Sequence, residues 1–169
     1  GIIGLGKIGS CVARRAKGFG MRILYTAAHG PKPELEKELG CEFVQLDQLL
    51  GEADFVTLHC KLTPETEGLI GAEQLRGMKK TAYLINTGRG MLVDEAALAD
   101  ALEQGCIAGA GLDVFADEPR VTEKLLALPN VVMTPHLGAS TRENRMRMAE
   151  IAADCTRAAL AGRIPAFYA

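Results

Sequence analysis

The sequence predicts an α/β fold, a doubly wound parallel sheet in three layers with helices on both faces. Short apolar runs alternate with amphipathic segments along the whole chain, which is the pattern that β-α units produce. The 169 residues suit a single hydrophobic core, and 48% hydrophobic with 24% charged residues is typical of a folded globular domain. These observations predict alternating strands and helices in one domain.

Seven short apolar runs are predicted to be the strands of the sheet. Each is bounded by turn-forming residues and is shorter than an ordinary helix. Their bounds are residues 1–3, 22–26, 42–44, 53–59, 82–86, 108–114 and 131–134. Because helical segments separate most of them, the strands are expected to run parallel.

Two of the predicted helices are short and have clear end signals. Pro33 near the start and Gly40 at the close bound the first of these. Asp94 is the expected N-cap of the second, which covers residues 95–104 and stops before Gly105. Both are expected to connect consecutive strands.

The first and last helices are predicted from their apolar faces. The first, ended by Gly18 and Gly20, is expected to turn one face to the sheet: Ile8, Val12, Ala16 and Phe19. The last is expected to run from Thr141 to about Ala161, with this apolar face: Met148, Ile151, Ala152, Cys155 and Ala159.

The charge balance favours a small-molecule partner. A net charge of -2 indicates no basic surface for a nucleic acid or an anionic membrane, and no apolar run approaches the roughly 18 residues that cross a bilayer. Five widely spaced cysteines form no Cys-x-x-Cys pair, so no metal site is predicted and reduced thiols in the cytoplasm are expected. The chain opens inside an apolar run, so further residues are expected upstream.

A glycine-rich turn joins the first predicted strand to the first predicted helix. The run Gly-Leu-Gly-Lys-Ile-Gly matches the dinucleotide-binding fingerprint in its required context. Gly4 is expected to allow the tight turn, Gly6 the approach of a pyrophosphate, and Gly9 close packing of helix on strand. Lys7 and Ile8 are expected to border the phosphates at the helix N-terminus. The alternative, a glycine turn without a ligand, is disfavoured by the surrounding β-α series.

The second predicted strand ends without the acidic residue that commonly binds the ribose of NAD. That carboxylate lies about 20 residues after the glycine turn, and Ala27 stands at the expected position. Its absence removes the repulsion that excludes a 2′-phosphate, and Thr26, His29 and Lys32 are nearby donors. The cofactor is therefore predicted to be NAD or NADP, with NADP tolerated. A weakly discriminating NAD site is the alternative.

Four further stretches resemble a known enzyme family. They read His-Cys-Lys-Leu-Thr-Pro-Glu-Thr at 59–66, Leu-Ile-Asn-Thr-Gly-Arg-Gly at 84–90, Gly-Leu-Asp-Val-Phe-Ala-Asp-Glu-Pro at 111–119 and Thr-Pro-His-Leu-Gly-Ala-Ser-Thr at 134–141. In this order they resemble the D-isomer-specific 2-hydroxyacid dehydrogenases, over nearly the whole chain. The resemblance implies a Rossmann-type domain and hydride transfer between a nicotinamide cofactor and a 2-oxo or D-2-hydroxy acid.

The resemblance implies catalytic roles for Arg89, Glu118 and His136. A 2-oxo acid needs a cation that holds its carboxylate and polarises its carbonyl, and the Arg fork stays charged. Hydride addition leaves an alkoxide that needs a proton donor, and His titrates near neutral pH. Glu118 is expected to accept the second ring N–H of His136. Each residue also has an ordinary alternative: Arg89 as a solvated loop residue, Glu118 as a surface residue of an acidic turn, and His136 as a structural residue at a strand end.

The remaining cofactor contacts are implied in the same way. Asp113 is expected to bond the nicotinamide carboxamide, although a cap or Asx turn is its alternative role. Thr87 and Gly88 are expected to line the nicotinamide ribose, and Thr66 the adenosine side. Lys61 stands where the family usually has Pro, and it either meets a 2′-phosphate or faces water. The cofactor site is completed by four residues: Cys60, Arg89, His136 and Gly138.

The domain plan and the alternatives follow from the same resemblance. Residues 1–161 are predicted to form the dinucleotide-binding domain, and residues 162–169 the start of a connection to a substrate domain. The family's N-terminal domain also grips substrate and is expected to be missing here, so we expect cofactor binding without turnover. A homodimer is implied. A dinucleotide-sensing module of the corepressor type is the main competing interpretation, and an S-adenosylmethionine-dependent methyltransferase is less favoured.

Two features disagree about the substrate. The run that begins His-Leu-Gly-Ala-Ser-Thr is similar to the phosphoglycerate dehydrogenase branch of the family. The second strand without its carboxylate is more similar to the glyoxylate and hydroxypyruvate reductases. The sequence therefore leaves the choice of 2-hydroxy acid open.

Overall fold

The computed structural model describes residues 1–167, which form seven strands and seven helices. The strands are β1 (Ile2–Ile3), β2 (Ile23–Thr26), β3 (Cys41–Phe43), β4 (Phe55–Leu58), β5 (Tyr83–Asn86), β6 (Gly109–Leu112) and β7 (Val131–Met133). The helices are α1 (Lys7–Gly18), α2 (Pro33–Leu39), α3 (Leu46–Glu52), α4 (Ala72–Gly77), α5 (Glu95–Glu103), α6 (Glu123–Leu126) and α7 (Arg142–Leu160), and a 3₁₀ turn covers Gly90–Leu92. The chain divides into two compact units, Gly1–Pro135 and the residues from His136 onward.

The first unit contains the whole sheet. All its strand pairs are parallel, in the order β3-β2-β1-β4-β5-β6-β7. The strands run outward from β1 to β3 on one side and from β4 to β7 on the other, so the order reverses between β1 and β4. Ligands of doubly wound sheets bind beyond the carboxyl ends of the strands at such a reversal. The predicted fold class is confirmed.

Alternate strand residues enter two separate cores. The ring of Tyr25 packs with Ala13 of α1 and Leu39 of α2. Its neighbour Leu24 belongs to a larger cluster that includes Leu49 of α3 and residues of α4 and α5. Because successive strand residues point to opposite faces, helices cover both faces of the sheet. Burial of these apolar side chains is the main force that holds the three layers together.

The predicted helix ends are confirmed where a cap marks them. Asp94 accepts a hydrogen bond from the Ala97 N–H at 3.0 Å, as an N-cap of α5 should. Gly40 ends α2 in the left-handed conformation at φ 67°. The hydroxyl of Thr141 accepts from the Asn144 N–H at 3.2 Å and so starts α7. Local end signals therefore located these helices.

Three helices and the 3₁₀ turn were not predicted from the sequence. Helices α3, α4 and α6 have seven, six and four residues. Segments of two turns or fewer carry too little periodicity to separate them from loops. The predicted strands are all present, but most are shorter than predicted; 53–59, for example, is reduced to Phe55–Leu58.

The apolar face predicted for α1 was wrong at both ends. Ile8 is 66% exposed and Phe19 is 86% exposed. The helix instead buries small residues, namely Gly9, Ser10 and Ala13. A β-carbon at Gly9 would stand 2.2 Å from a backbone oxygen of the glycine turn, so the helix lies against that turn more closely than a larger residue permits. Ile8 consequently lies at the surface, beside the turn.

Helix α7 forms most of the second unit, and none of its residues is buried. The apolar face predicted for this helix is not buried within the chain, since Met148 is exposed and Ile151 and Cys155 are only half-buried. The last two residues of the predicted connection at 162–169 lie outside the described residues. Within residues 1–167, no helix has the length and apolar character needed to cross a membrane.

Candidate active site

Most of the predicted site residues follow the carboxyl ends of four neighbouring strands. Gly4 follows β1, Cys60 follows β4, Thr87 follows β5 and Asp113 follows β6. Because the strands are parallel and adjacent, these residues lie along one edge of the sheet. The first unit therefore brings together residues that are far apart in the sequence.

The glycine turn after β1 leaves room for a phosphate group. Gly4 has φ 98°, and a β-carbon there would stand 2.6 Å from the backbone nitrogen of Cys60. Gly6 is the N-cap of α1, and no side chain caps this helix. The first backbone N–H groups of α1 can therefore donate to a ligand. A β-carbon at Gly6 would meet no atom within 4 Å. Open space over helix amides fits a pyrophosphate.

A lysine, and not a carboxylate, lies next to the glycine turn beyond β2. The Lys32 ammonium donates to the Leu5 carbonyl oxygen at 2.7 Å. The Lys32 backbone N–H donates to the Tyr25 hydroxyl at 2.6 Å, and this hydroxyl donates to Glu36 at 2.8 Å. The network holds a cation close to the turn, while Ala27 packs against the core shared by α1 and α2.

The end of β4 places two titratable side chains, those of His59 and Cys60, beside the glycine turn. Burial raises the pKa of the Cys60 thiol, so the thiol form is favoured. Burial also lowers the pKa of His59, whose Nε2 lies 3.0 Å from the Thr57 hydroxyl. Both side chains are therefore neutral at pH 7. His59 begins the motif at 59–66 but was not predicted from the sequence to be a site residue.

The loop after β4 is shaped by Thr66. Its hydroxyl donates to the Lys61 carbonyl oxygen at 2.7 Å and accepts from the Thr63 N–H at 2.8 Å. These bonds close the turn that contains Thr66, which was predicted to line the adenosine side of the cofactor. The Lys61 side chain is exposed.

The turn after β5 is organised by a buried asparagine that sequence reasoning missed. Asn86 is 1% exposed, its amide donates to the Arg89 carbonyl oxygen at 2.9 Å, and its carbonyl accepts from the Gly88 N–H at 3.0 Å. The exposed Arg89 guanidinium donates to the Gly88 carbonyl oxygen at 2.7 Å. Asn86 lies inside the Asn-Thr-Gly-Arg motif, but only its burial shows that both amide groups serve the turn.

The loop after β6 carries two acidic residues in different environments. Asp113 is 6% exposed and accepts a hydrogen bond from the Thr134 hydroxyl at 2.5 Å. Glu118 is exposed and accepts from the Phe115 N–H at 3.0 Å. The hydroxyl of Thr134 fixes one carboxylate oxygen of Asp113 at the strand end. Glu118 is held by the backbone of its own loop.

His136 and Gly138 belong to the second unit. His136 has φ 54°, a left-handed conformation that few residues other than glycine adopt, and its side chain is exposed. Such backbone conformations cluster at functional sites. The segment is tied to α7 within the same unit, because the Asn144 amide donates to the Ala139 carbonyl oxygen at 2.6 Å.

Comparison with known proteins identifies the family whose residues these are. A family model described as D-isomer specific 2-hydroxyacid dehydrogenase, NAD binding domain, matches residues 1–138. The chain is 55% identical over 166 residues to the glyoxylate reductase of Korarchaeum cryptofilum (strain OPF8), covering 98% of the chain and 50% of that relative. It therefore spans about half the length of the curated relative that it matches.

Solved structures agree with the sequence relatives. The TT0316 protein from Thermus thermophilus has a TM-score of 0.89 at 49% identity, over 98% of this chain and 51% of that one. The D-lactate dehydrogenase of Lactobacillus jensenii, solved with NAD+, has a TM-score of 0.86 at 37% identity, over 99% of this chain and 54% of that one. Two of these three relatives are named as enzymes, one as a glyoxylate reductase and one as a D-lactate dehydrogenase.

Proposed function

Because the chain belongs to the D-isomer-specific 2-hydroxyacid dehydrogenase family, we propose that it is the cofactor-binding half of an enzyme that interconverts 2-oxo acids and D-2-hydroxy acids. The observation that carries the proposal is the shared sheet edge, where an open glycine turn and the Arg89 turn follow strands of one parallel sheet. A bound nicotinamide cofactor supplies or accepts the hydride. The residues of the chain position the cofactor and substrate and stabilise charge.

Three parts of the first unit hold the ligands in this proposal. The amides at the start of α1, reached over Gly6, bind the pyrophosphate, and Asp113 binds the nicotinamide carboxamide. The bond from Thr134 orients the Asp113 carboxylate, whose oxygens can accept from a carboxamide N–H. Arg89, oriented by Asn86 through its backbone, binds the carboxylate of the 2-oxo acid and polarises its carbonyl.

Proton transfer is assigned to His136, with Glu118 as its orienting partner. His136 gives a proton to the alkoxide during reduction and takes it back during oxidation. Glu118 accepts the other ring N–H and stabilises the protonated ring. This pairing is proposed from the sequence motif that contains each residue.

The cofactor is proposed to be NAD or NADP, without strong exclusion of the 2′-phosphate. The support is the Lys32 ammonium, held 2.7 Å from the Leu5 carbonyl oxygen, together with Ala27 in place of the usual carboxylate. An ammonium with two further N–H donors attracts a phosphate. A carboxylate at the same strand end would repel it.

The substrate is proposed to be a small 2-oxo acid, with glyoxylate the first to test because relatives more than half identical are named glyoxylate reductases. A second domain, reached beyond residue 161, is proposed to complete the substrate site. Cytoplasmic location is proposed from the five free cysteines. A homodimer is proposed because Phe55, Tyr83 and Val132 are exposed apolar residues on a parallel sheet, a kind of surface that proteins ordinarily bury.

The test is a panel of 2-oxo acids with NADH and NADPH on the full-length protein, beside cofactor titration of the 169-residue chain. We expect turnover by the full-length protein, and cofactor binding without turnover by the chain alone, because two domains must close to exclude water from the reaction. Reduced-cofactor binding by the full-length protein without turnover of any acid would instead support a dinucleotide sensor. Sedimentation of the full-length protein measures the oligomeric state.

A further inference from the structure

One carboxylate outside the predicted site, that of Glu95, binds the loop that carries Glu118 at two points. Its Oε1 accepts the Ala116 N–H at 2.6 Å, and its Oε2 accepts the Thr122 hydroxyl at 2.6 Å. Glu95 is the first residue of α5 and is half-buried. Both bonds are short and end on an ionised acceptor, which makes them stronger than bonds between neutral groups.

The two bonded groups lie on either side of Glu118 in the sequence. Ala116 begins the turn and Thr122 ends it, at the N-cap of α6. Inside the turn, the ion pair between Asp117 and Arg120 is exposed at both ends and contributes little to stability. Glu95 therefore holds both ends of the segment that presents Glu118.

The same carboxylate lies close in the chain to Arg89. From Arg89 the backbone passes through the 3₁₀ turn and enters α5, whose first residue is Glu95. At the start of that turn, a β-carbon on Gly90 would stand 1.9 Å from the Phe115 carbonyl carbon and 2.4 Å from the Ala116 nitrogen. The Arg89 turn and the Glu118 loop are thus in backbone contact, and Glu95 binds across that contact.

We propose that Glu95 is a positioning residue, which fixes the position of the Glu118 loop relative to the Arg89 turn. The inference rests on the proposed function, since the relative position of Arg89 and Glu118 matters only if both residues serve one reaction. Without the carboxylate, the Ala116 N–H and the Thr122 hydroxyl lose their acceptor and the loop gains freedom. A displacement of about 1 Å in a catalytic group costs about a hundredfold in rate.

Four variants of the full-length protein separate positioning from stability. Glu95→Ala removes both acceptors, and Thr122→Val removes one donor. Glu95→Gln keeps an oxygen for the Ala116 N–H, and its amide can donate to the Thr122 hydroxyl after that hydroxyl rotates. Asp94→Ala is the matched control. The Asp94 carboxylate caps the same helix turn by accepting from the Ala97 N–H, and its bond is therefore within α5 and not to the Glu118 loop.

The expected result is a fall in kcat of about tenfold or more for Glu95→Ala, with an unchanged cofactor Kd. Thr122→Val should lose less, and Glu95→Gln should recover most of the rate. A fifth variant, Glu118→Gln, removes the proposed carboxylate partner of His136 and serves as the reference for pH dependence. The pH profile of kcat/KM in Glu95→Ala should move toward that of Glu118→Gln, a change that loss of stability does not produce. Asp94→Ala should keep the wild-type kcat and pH profile at temperatures where it stays folded.

Hydrogen exchange supplies a measurement that needs no turnover. In Glu95→Ala the Ala116 amide should exchange faster, whereas in Asp94→Ala the Ala97 amide should do so. If the Ala116 amide of Glu95→Ala exchanged at the wild-type rate, the inference would be overturned. It would also be overturned if that amide exchanged faster but the kcat of Glu95→Ala equalled that of Asp94→Ala. A wild-type protein without activity on any 2-oxo acid would overturn the proposed function, and the exchange rates would still decide whether Glu95 holds the loop.

Discussion

Gly90 approaches Phe115 so closely that a β-carbon at position 90 would lie 2.1 Å from the Phe115 carbonyl oxygen. Glycine is needed here for close approach and not for a left-handed backbone, since Gly90 is not among the glycines with positive φ. The contact joins the Arg89 turn to the Glu118 loop. The spacing of these two turns therefore depends on the absence of one methyl group.

Replacing Gly90 with Ala should push the two turns apart. We expect a loss of about 1–3 kcal/mol in the free energy of unfolding, the usual range for overpacking, and a lower kcat in the full-length protein. Gly18→Ala is the control, because a β-carbon there meets no atom within 4 Å. It should leave stability unchanged or raise it by about 0.4–1 kcal/mol. Denaturant unfolding measures both, and equal stabilities for the two variants would contradict the prediction.

The glycines of the first turn should separate binding from folding. Gly6→Ala adds a methyl group to open space, so the free energy of unfolding should change by less than about 0.5 kcal/mol. The same methyl should obstruct the pyrophosphate and weaken cofactor binding at least about tenfold, or about 1.4 kcal/mol. Gly9→Ala should destabilise the protein itself, since its β-carbon would stand 2.2 Å from the Gly4 oxygen. Melting curves and cofactor titrations on both variants test this, and unweakened binding by Gly6→Ala would refute it.

Cofactor choice should depend on Ala27 and Lys32. Wild-type protein should bind NADP(H) at least as well as NAD(H), and Ala27→Asp should shift preference toward NAD by adding ribose bonds and repelling the 2′-phosphate. Lys32→Met should weaken NADPH binding and spare NADH. Titration of both cofactors decides the matter. A wild-type preference for NAD of about tenfold or more, about 1.4 kcal/mol, is incompatible with this assignment.

Substitution of Arg89 by Lys should show whether the guanidinium fork binds substrate. The charge remains but the paired N–H donors are lost. A charge-assisted bond is worth about 1.5–3 kcal/mol, so kcat/KM for a 2-oxo acid should fall roughly tenfold to a hundredfold. The cofactor Kd should stay the same. Arg14→Lys, at an exposed pair with Glu38, is the control and should keep full activity. Equal kinetics for the two variants would remove Arg89 from the substrate site.

Alkylation of Cys60 should report both burial and cofactor binding. Burial disfavours the thiolate and raises the pKa, so the reaction with iodoacetamide should be slow at pH 7 and should keep accelerating above the ordinary thiol range near 8.5. Bound cofactor should slow it further, because Cys60 follows the strand end beside the glycine turn. The exposed Cys11 serves as the reference within the same sample. Peptide mass spectrometry follows both thiols, and equal rates with and without cofactor would place Cys60 outside the pocket.

The predictions from sequence were most successful where a short stretch of chain contains all the relevant information. The strands, the N-cap at Asp94, the start of α7 at Thr141 and the glycine turn each depend on a few consecutive residues. Even the family could be inferred, because its motifs are local runs that follow successive strands. The pairing of Glu118 with His136 stays a prediction.

The sequence by itself determined the seven strands, the four helices α1, α2, α5 and α7, and the position of the glycine turn, because local periodicity, end signals and glycine spacing encode them. Only the tertiary structure decided that α1 packs through Gly9 and Ala13, and that Lys32 lies against the glycine turn. It alone also placed Glu95 on Ala116, a residue 21 positions away. Such contacts depend on which distant backbone groups the folded sheet brings within hydrogen-bonding distance, and no pattern of neighbouring residues specifies that.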